Sequence, residues 1–206
     1  LSSGAKIVDM ACGAGRHAII FARKNFDVTA VDLSESLLAI AKKNADDENL
    51  KINFVHSDIR NFKSYDKFNL VLNLFTSFGY FESDEENFSV LQKAYDLLVD
   101  DGFFVLDFFN SYFLQQNLVE SSEENLGKVK IHQMRKIKEN RVTKKIVITK
   151  NGNLSHFEES VRMFTKDELV NAIQNIGFDI YKTFGDFLGN EFEQFTSPRL
   201  IMICKK

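Results

Sequence analysis

Lys6-Ile-Val-Asp-Met-Ala-Cys-Gly-Ala-Gly-Arg-His-Ala-Ile-Ile20 is the stretch from which the rest of the chain can be read. Ile7, Val8 and Met10 make a short apolar run, the pattern of a strand buried on both faces. Ala11 to Gly15 is small and glycine-rich, and Arg16 to Lys24 reads as a helix. Strand, glycine turn and helix in that order let a backbone approach a nucleotide closely. Gly13-Ala14-Gly15-Arg16-His17-Ala18 formally fits the pattern G-x-G-x-x-G/A of dinucleotide sites, which means little when it stands alone.

Two acids sharpen the pattern. Asp9 lies inside the first strand, ahead of the glycines, and Asp32 belongs to the end of a second strand, Asp27 to Leu33. An acid at the end of the second strand can take both hydroxyls of a ribose. An acid just ahead of the glycines suits a ligand with a cation or an amine at that point better than one with a pyrophosphate. Each also has a plain structural reading: Asp9 can satisfy donors in the turn, and Asp32 can cap the next helix.

Outward from this stretch, strands and helices alternate. Ser34 is a good N-cap for a helix from Glu35 to about Asn44. Ile52 to His56 reads as a third strand and Phe68 to Phe75 as a nearly all-apolar fourth. Asp84 to Leu98 is a helix, with Phe88, Leu91, Ala94, Tyr95 and Leu98 at helical spacing, and Phe103 to Phe109 is a fifth strand. Such alternation implies an α/β fold with a parallel, doubly wound sheet and right-handed crossovers. The pattern breaks between about Gly127 and Phe164. There the strand-like runs Val129 to Lys138, Arg141 to Thr149 and Ser155 to Phe164 follow one another across Glu139-Asn140 and Asn151-Gly152, the second a strong hairpin signal. An antiparallel meander is expected, its lysines between Lys128 and Lys150 forming a solvated outer face. Thr165-Lys-Asp-Glu168 then fits a capping box, Gly177 ends that helix, and Phe178 to Gly185 and Ser197 to Cys204 are the last two strands. The expected division is residues 1–126 with 165–206 as one Rossmann-like domain and 127–164 as an inserted β lid.

Composition narrows the classes. Hydrophobic residues are 44% and charged residues 27% of the chain, an ordinary globular balance, and the net charge of −3 argues against a general phosphate-backbone binder. Cys12 and Cys204 are the two cysteines, which fits reduced residues in a cytoplasmic protein rather than a disulfide framework. No apolar run reaches membrane-spanning length and no signal peptide is evident, so no membrane partner is expected. No Cys/His/Asp cluster has ligand spacing, so no metal is expected. Leu1 is followed almost at once by a core strand, which suggests an upstream segment.

Val8-Asp-Met-Ala-Cys-Gly-Ala-Gly-Arg-His17, Val28-Thr-Ala-Val-Asp-Leu-Ser34, His56-Ser-Asp-Ile59 and Phe68-Asn-Leu-Val-Leu-Asn73, in that order and spacing, resemble the class I S-adenosylmethionine-dependent methyltransferases. The final helix, strand and hairpin are similar to that family's seven-stranded sheet, whose last strand inserts antiparallel between the fifth and sixth. The resemblance implies S-adenosylmethionine as cofactor and S-adenosylhomocysteine as product. It places Asp9 and the turn residues Ala11, Cys12, Gly13 and Gly15 at the methionine portion, Asp32 at the ribose and Leu33 on the adenine. Asp58 would accept from the adenine amino group, Ile59 would wall the adenine, and Asn73 and Leu74 would lie beside the methionine moiety and the sulfonium. Ala11 departs from the family, which often has glycine there, but alanine is small enough to leave binding intact.

Phe75 to Phe81 follows the fourth strand, where a ligand crevice opens in such sheets, and its aromatics can shape an acceptor pocket near a sulfonium. Nucleic-acid amino methyltransferases usually carry an acid or Asn, then Pro-Pro and an aromatic, at this point. Asn73-Leu-Phe-Thr76 lacks the prolines, so no DNA substrate is expected. Methyl transfer needs chiefly alignment, with a base only where the nucleophile must lose a proton. Tyr80 is the polar candidate for that role. Arg162 is the candidate for holding a substrate carboxylate, with an ion pair to Glu158 or Glu159 as its alternative, and Arg199 is a further candidate. His17 reads as a cofactor neighbour, and His132 and His156 as surface residues. The expected partner is a small-molecule methyl acceptor with an N or O nucleophile, and a homodimer is compatible with the chain. Three other readings stay open: a nicotinamide-dependent oxidoreductase, a non-catalytic cofactor-binding scaffold, and a protein or RNA methyltransferase.

Overall fold

The computed structural model describes all 206 residues. Its first strand, β1 (Lys6–Met10), turns through Ala11–Gly15 into α1 (Arg16–Arg23), followed by β2 (Asp27–Asp32), α2 (Glu35–Asp47), β3 (Ile52–His56) and β4 (Phe68–Asn73). Then come α3 (Asp84–Leu97), β5 (Leu98–Phe109) and the short α4 (Ser111–Gln116). Four strands without helices follow: β6 (Ser121–Leu126), β7 (Val129–Lys138), β8 (Arg141–Lys150) and β9 (Asn153–Arg162). The chain ends with α5 (Lys166–Ile176), β10 (Asp179–Phe184) and β11 (Arg199–Lys205).

Two sheets result. The larger has seven strands in the order β10-β11-β5-β4-β1-β2-β3, with β1 to β5 parallel and β11 antiparallel to both neighbours. The expected α/β architecture and the expected place of the last strand are therefore both observed. The second sheet is the meander, with four strands rather than three. Its extra member, Ser121–Leu126, is polar except at one end, so no hydrophobic alternation marks it; the β7 backbone recruits it. α4 is the other element absent from the expectation. Asn110 caps it, the side chain accepting from the Tyr112 amide.

Alternation along the strands sorts the core. Val8 and Met10 of β1, Val71 of β4, Phe104, Leu106 and Phe108 of β5 and Leu200, Met202 and Cys204 of β11 share the largest cluster with residues of α3 and α5. On the other face α1 and α2 cover β1 to β3 through Ala18, Ala22 and Leu38. That second face also carries Asp9, Asp32 and Asp107, all near the C-terminal ends of their strands and all buried.

The meander's turns follow their sequence. Glu139-Asn140 and Asn151-Gly152 hold consecutive left-handed residues, as the twist of two-residue hairpins demands. Its exposed lysines pair across strands: Lys130 with Glu123, Lys144 with Glu159 and Lys145 with Glu158.

The two glycines of the opening turn do different work. Both have positive φ, 57° at Gly13 and 78° at Gly15. A Cβ on Gly15 would lie 2.8 Å from the Cβ of Ala41, so this glycine lets α1 seat on α2. A Cβ on Gly13 would meet nothing within 4 Å. Gly15→Ala is therefore expected to lose roughly 2–4 kcal/mol, the sum of left-handed strain and overpacking. Gly13→Ala loses roughly 1–2 kcal/mol from strain alone. Urea denaturation of both variants checks this, and equal losses would contradict the packing role of Gly15.

Candidate functional site

A parallel sheet leaves its loops, and hence its ligand crevice, at the C-terminal ends of the strands. Here the turn after β1, the end of β2, the loop after β3 and the loop after β4 enclose a cavity of about 440 Å³. Ala11, Gly13, Asp32, Leu33, Asp58, Ile59 and Tyr80, all singled out in the sequence, line it. Leu37, Ser77 and Phe81 complete the wall. Leu37 was legible only as a helix residue, and Ser77 and Phe81 only as members of the loop after β4. Asp9, Cys12, Gly15, Asn73 and Leu74 do not line this cavity.

Asp32 is fixed before any ligand arrives. One carboxylate oxygen accepts from the Gly13 amide at 2.7 Å and the other from the Ser34 amide at 2.8 Å. The residue thus ties the glycine turn to the start of α2, whose cap is the Ser34 hydroxyl and not Asp32 itself. Asp58 is held by Arg60, whose backbone amide and guanidinium both donate to it, and this keeps the acid well below the usual carboxylate range. Arg60 also reaches Glu86 and lies 4.0 Å over the Phe81 ring, so the two walls of the cavity are joined. The Tyr80 phenol is pushed above its ordinary range by burial and by the negative charge of Glu159. A phenol so placed stays protonated at neutral pH, which suits hydrogen-bond donation better than proton abstraction.

Beneath the turn, Asp9 is buried, its Oδ2 has no hydrogen-bond partner, and burial pushes its carboxyl up to about 7. Asn73, wholly buried at the end of the adjacent β4, donates to the Met10 carbonyl at 3.4 Å and leaves its own Oδ1 without a partner. Two acceptor atoms thus lie unsatisfied at the ends of neighbouring strands. Cys12 is a buried thiol pushed up by burial, so it is a core residue and not a nucleophile. No group of three or more His, Cys, Asp or Glu side chains is arranged to hold a metal ion.

Arg162 does not serve the role expected of it. It closes β9 against the first turns of two helices, with Nε 3.2 Å from Asp84 and Nη2 2.8 Å from Glu168, and its guanidinium stacks on Phe164. Both carboxylates compete for it, so it is spoken for as a structural clasp, and not by Glu158 or Glu159, which face lysines. Arg199 is likewise engaged. It binds Asp107 through Nε at 2.8 Å and Nη2 at 2.6 Å, and donates to the Thr76 hydroxyl. Asp107, not picked out in the sequence, also accepts from the Phe75 amide at 2.9 Å through its second oxygen, and its carbonyl accepts from the Thr76 amide. Phe75 and Thr76 are both left-handed, with φ of 59° and 63°, a costly conformation that this buried ion pair holds in place. No local pattern could have revealed a pair 92 residues apart.

The meander is rooted on the cavity wall. Arg141 donates to the Phe81 and Gly79 carbonyls, and the Arg162 amide donates to the Gly79 carbonyl at 2.8 Å. A Cβ on Gly79 would lie 2.9 Å from Val161.

The state of Asp9 has a measurable consequence. Folding holds a proton on Asp9 that the unfolded chain loses near its ordinary value of about 4. This contribution to stability is therefore lost as pH rises from about 4 to about 7, and is level above that. The stability of Asp9→Asn relative to the parent is expected to rise over this window, measured by urea denaturation at several pH values. A flat difference would show that the carboxylate is not buried in the way described.

Residues 7–102 match the family model described as a methyltransferase domain. A putative methyltransferase of Geobacillus sp. (strain WCH70) is 31% identical over 129 residues, or 60% of this chain; the chain spans about half, 52%, of that relative's length. The dTDP-3-amino-3,6-dideoxy-alpha-D-glucopyranose N,N-dimethyltransferase of Streptomyces fradiae is 26% identical over 85% of this chain and 71% of its own. Among solved structures, an S-adenosylmethionine-dependent methyltransferase from Clostridium acetobutylicum ATCC 824 superposes with a TM-score of 0.89, covering 97% of this chain and 83% of that one at 20% identity. With the strand order, the glycine turn and the acid at the end of β2, the chain has the fold of the class I S-adenosylmethionine-dependent methyltransferases, and its first half is similar in sequence to a methyltransferase domain.

Proposed function

We propose that this chain transfers a methyl group from S-adenosylmethionine to an amine nitrogen of a small-molecule acceptor. The observation that carries the proposal is the cavity beside Gly13 and Asp32. Its walls suit an adenosine: an apolar slot between Leu33, Leu37 and Ile59, a fixed carboxylate at Asp32 for the ribose, and Asp58 at the far rim for the adenine amino group. The space left by the missing Cβ of Gly13 gives the ligand close access to the backbone. Asp9 and Asn73 supply two buried acceptors without partners, which fits the ammonium of a methionine moiety better than the pyrophosphate of a nicotinamide dinucleotide. When bound, the cofactor supplies a methyl on a sulfonium, a group already activated for displacement.

The residues of this chain then have positioning work rather than covalent chemistry. Asp32 and the turn from Ala11 to Gly15 hold the adenosine and the start of the methionine chain. Asn73 and Leu74 lie where the methionine portion would run. Tyr80 offers a hydroxyl at the rim, and its protonated state fits an acceptor that attacks through a neutral amine and needs no strong base. The nitrogen acceptor is favoured by the likeness to the Streptomyces fradiae dTDP-3-amino-3,6-dideoxy-alpha-D-glucopyranose N,N-dimethyltransferase. A nucleic-acid substrate is disfavoured by the acidic balance of the chain and by the carboxylate partners of the meander lysines. The four-stranded sheet is assigned the part of a lid. The two free, buried cysteines suit a cytoplasmic setting, and no helix is long and apolar enough to cross a membrane.

Calorimetry with S-adenosylhomocysteine and with NAD tests the cofactor assignment. Asp32→Ala is expected to weaken S-adenosylhomocysteine binding by about 1–3 kcal/mol, the scale for hydrogen bonds to a charged group. Unchanged affinity would remove Asp32 from the ribose, and tight binding of NAD alone would overturn the proposal. Transfer of radiolabelled methyl to a panel of amino sugars and amino acids, compared with their hydroxyl analogues, tests the acceptor atom.

A further inference from the structure

Beyond the cofactor cavity, the loop after β4 has a second side. There Phe75 stands 54% exposed, its backbone locked by Asp107. On one side it stacks against Phe187 of the loop between β10 and β11, with ring centroids 5.8 Å apart and planes 7° from parallel. The Arg16 guanidinium, from the first residue of α1, lies 4.0 Å from the centre of the same ring. Phe187 is itself 63% exposed. Two large aromatic rings held together in solvent at the C-terminal edge of a parallel sheet are not explained by packing, since neither belongs to a core cluster.

The charges of this cluster are unequal. Arg199 is neutralised by Asp107. His17, 6.1 Å from Phe75, is lowered by burial and by the neighbouring Arg16 charge, so it is neutral at pH 7. Asp186, next to Phe187, is turned onto its own loop and accepts from Leu188 and Asn190. Arg16 has no carboxylate within salt-bridge distance and no hydrogen bond to the protein. The ring of Phe75 fixes its guanidinium in place and leaves its five donors free. The result is an uncompensated, pre-positioned cation beside an exposed apolar surface, across the β4 loop from the cofactor cavity.

We infer that Arg16, Phe75 and Phe187 form the acceptor-recognition face, and that it selects acceptors carrying a carboxylate or a phosphate next to an apolar or planar surface. The inference rests on the methyltransferase reading above. A guanidinium matches both anions bidentately, and the two rings exclude water from one side of the contact. Arg16 is a specificity residue in this scheme: it touches the acceptor and not the cofactor.

Benzoate, phenyl phosphate and neutral benzyl alcohol serve as probes, each titrated by ligand-observed NMR into protein saturated with S-adenosylhomocysteine. The two anions are expected to bind more tightly than benzyl alcohol, and their ranking tells carboxylate from phosphate. Arg16→Gln is expected to weaken the anions by roughly fivefold or more, as for a partly screened charge-assisted contact, and to leave benzyl alcohol and S-adenosylhomocysteine unchanged. Phe187→Ala is expected to weaken all three probes. Equal binding of benzyl alcohol and the anions, no effect of Arg16→Gln on the anions, or no binding of any probe would each overturn the inference. Failure of S-adenosylhomocysteine to bind at all would instead overturn the methyltransferase reading.

Discussion

Three buried carboxylates on one face of the sheet organise the end where ligands bind. Backbone alternation puts Asp9, Asp32 and Asp107 on the same side of β1, β2 and β5, each near the C-terminal end of its strand. Loops at such an edge begin with amides that have no partner in the sheet, and a buried amide must find one. Asp32 takes the amides of Gly13 and Ser34, and Asp107 takes that of Phe75. These two acids thus set the course of the loop after a neighbouring strand, and Asp32 also closes its own. The three differ in how they are compensated. Asp107 has a cationic partner, Asp32 has two amides, and Asp9 has an oxygen with none. The shortage of donors is greatest at Asp9, on the strand between the other two, where a cationic ligand group would relieve it.

Much of this was legible because it is local. The glycine turn, the alternation of strand and helix, the caps at Ser34 and Thr165 and the two hairpin turns each depend on residues within a few positions of one another, so sequence spacing carries them. Asp32 could be read because strand β2 ends at it. What spacing could not carry were pairings across the chain. Asp107 looked like one polar residue in an aromatic strand, and only the antiparallel entry of β11 beside β5 brings Arg199 to it. Arg162 failed as a substrate ligand for the same reason. Its partners, Asp84 and Glu168, begin helices 78 residues before it and 6 after it, and neither is a near neighbour along β9. β6 is not legible in the sequence because its six residues, Ser-Ser-Glu-Glu-Asn-Leu, carry no alternation of their own and pair only because β7 is there to receive them.

The meander and the cavity wall meet in a segment of a few residues, and this constrains what can vary. Gly79 sits with φ of 91° under Val161 and Arg162, where any side chain would collide. Arg141 and the Arg162 amide take up the carbonyls of Gly79 and Phe81. These bonds lie at the base of β8 and β9, near the Glu139-Asn140 turn. Near this base Val142 and Val161 join the main core, whereas the far ends of β6 to β9 carry Leu126, Leu154 and Phe157 exposed. Changes in the outer half of the meander can therefore be tolerated without moving Tyr80 or Phe81, whereas a change at Arg141 or Gly79 acts directly on the cavity.

The loop after β4 separates two environments with opposite electrostatic demands. On the cavity side Asp58 is paired with Arg60, Asp9 is buried with its carboxyl pushed up to about 7, and Asp32 is the carboxylate with amides alone for partners. On its other side the acid of Asp107 is spent on Arg199, and the free charge is that of Arg16. Under the function proposed above, a methyl donor bearing a sulfonium would meet the carboxylate of Asp32 and the anion of an acceptor would meet Arg16. The left-handed pair Phe75-Thr76 is what keeps the sides apart. It turns Phe75 outwards to meet Phe187 and Arg16, while Ser77, two residues on, lines the cavity. Strain at two adjacent residues of the crevice is thus sustained by a buried ion pair, and it gives one short loop two differently lined faces.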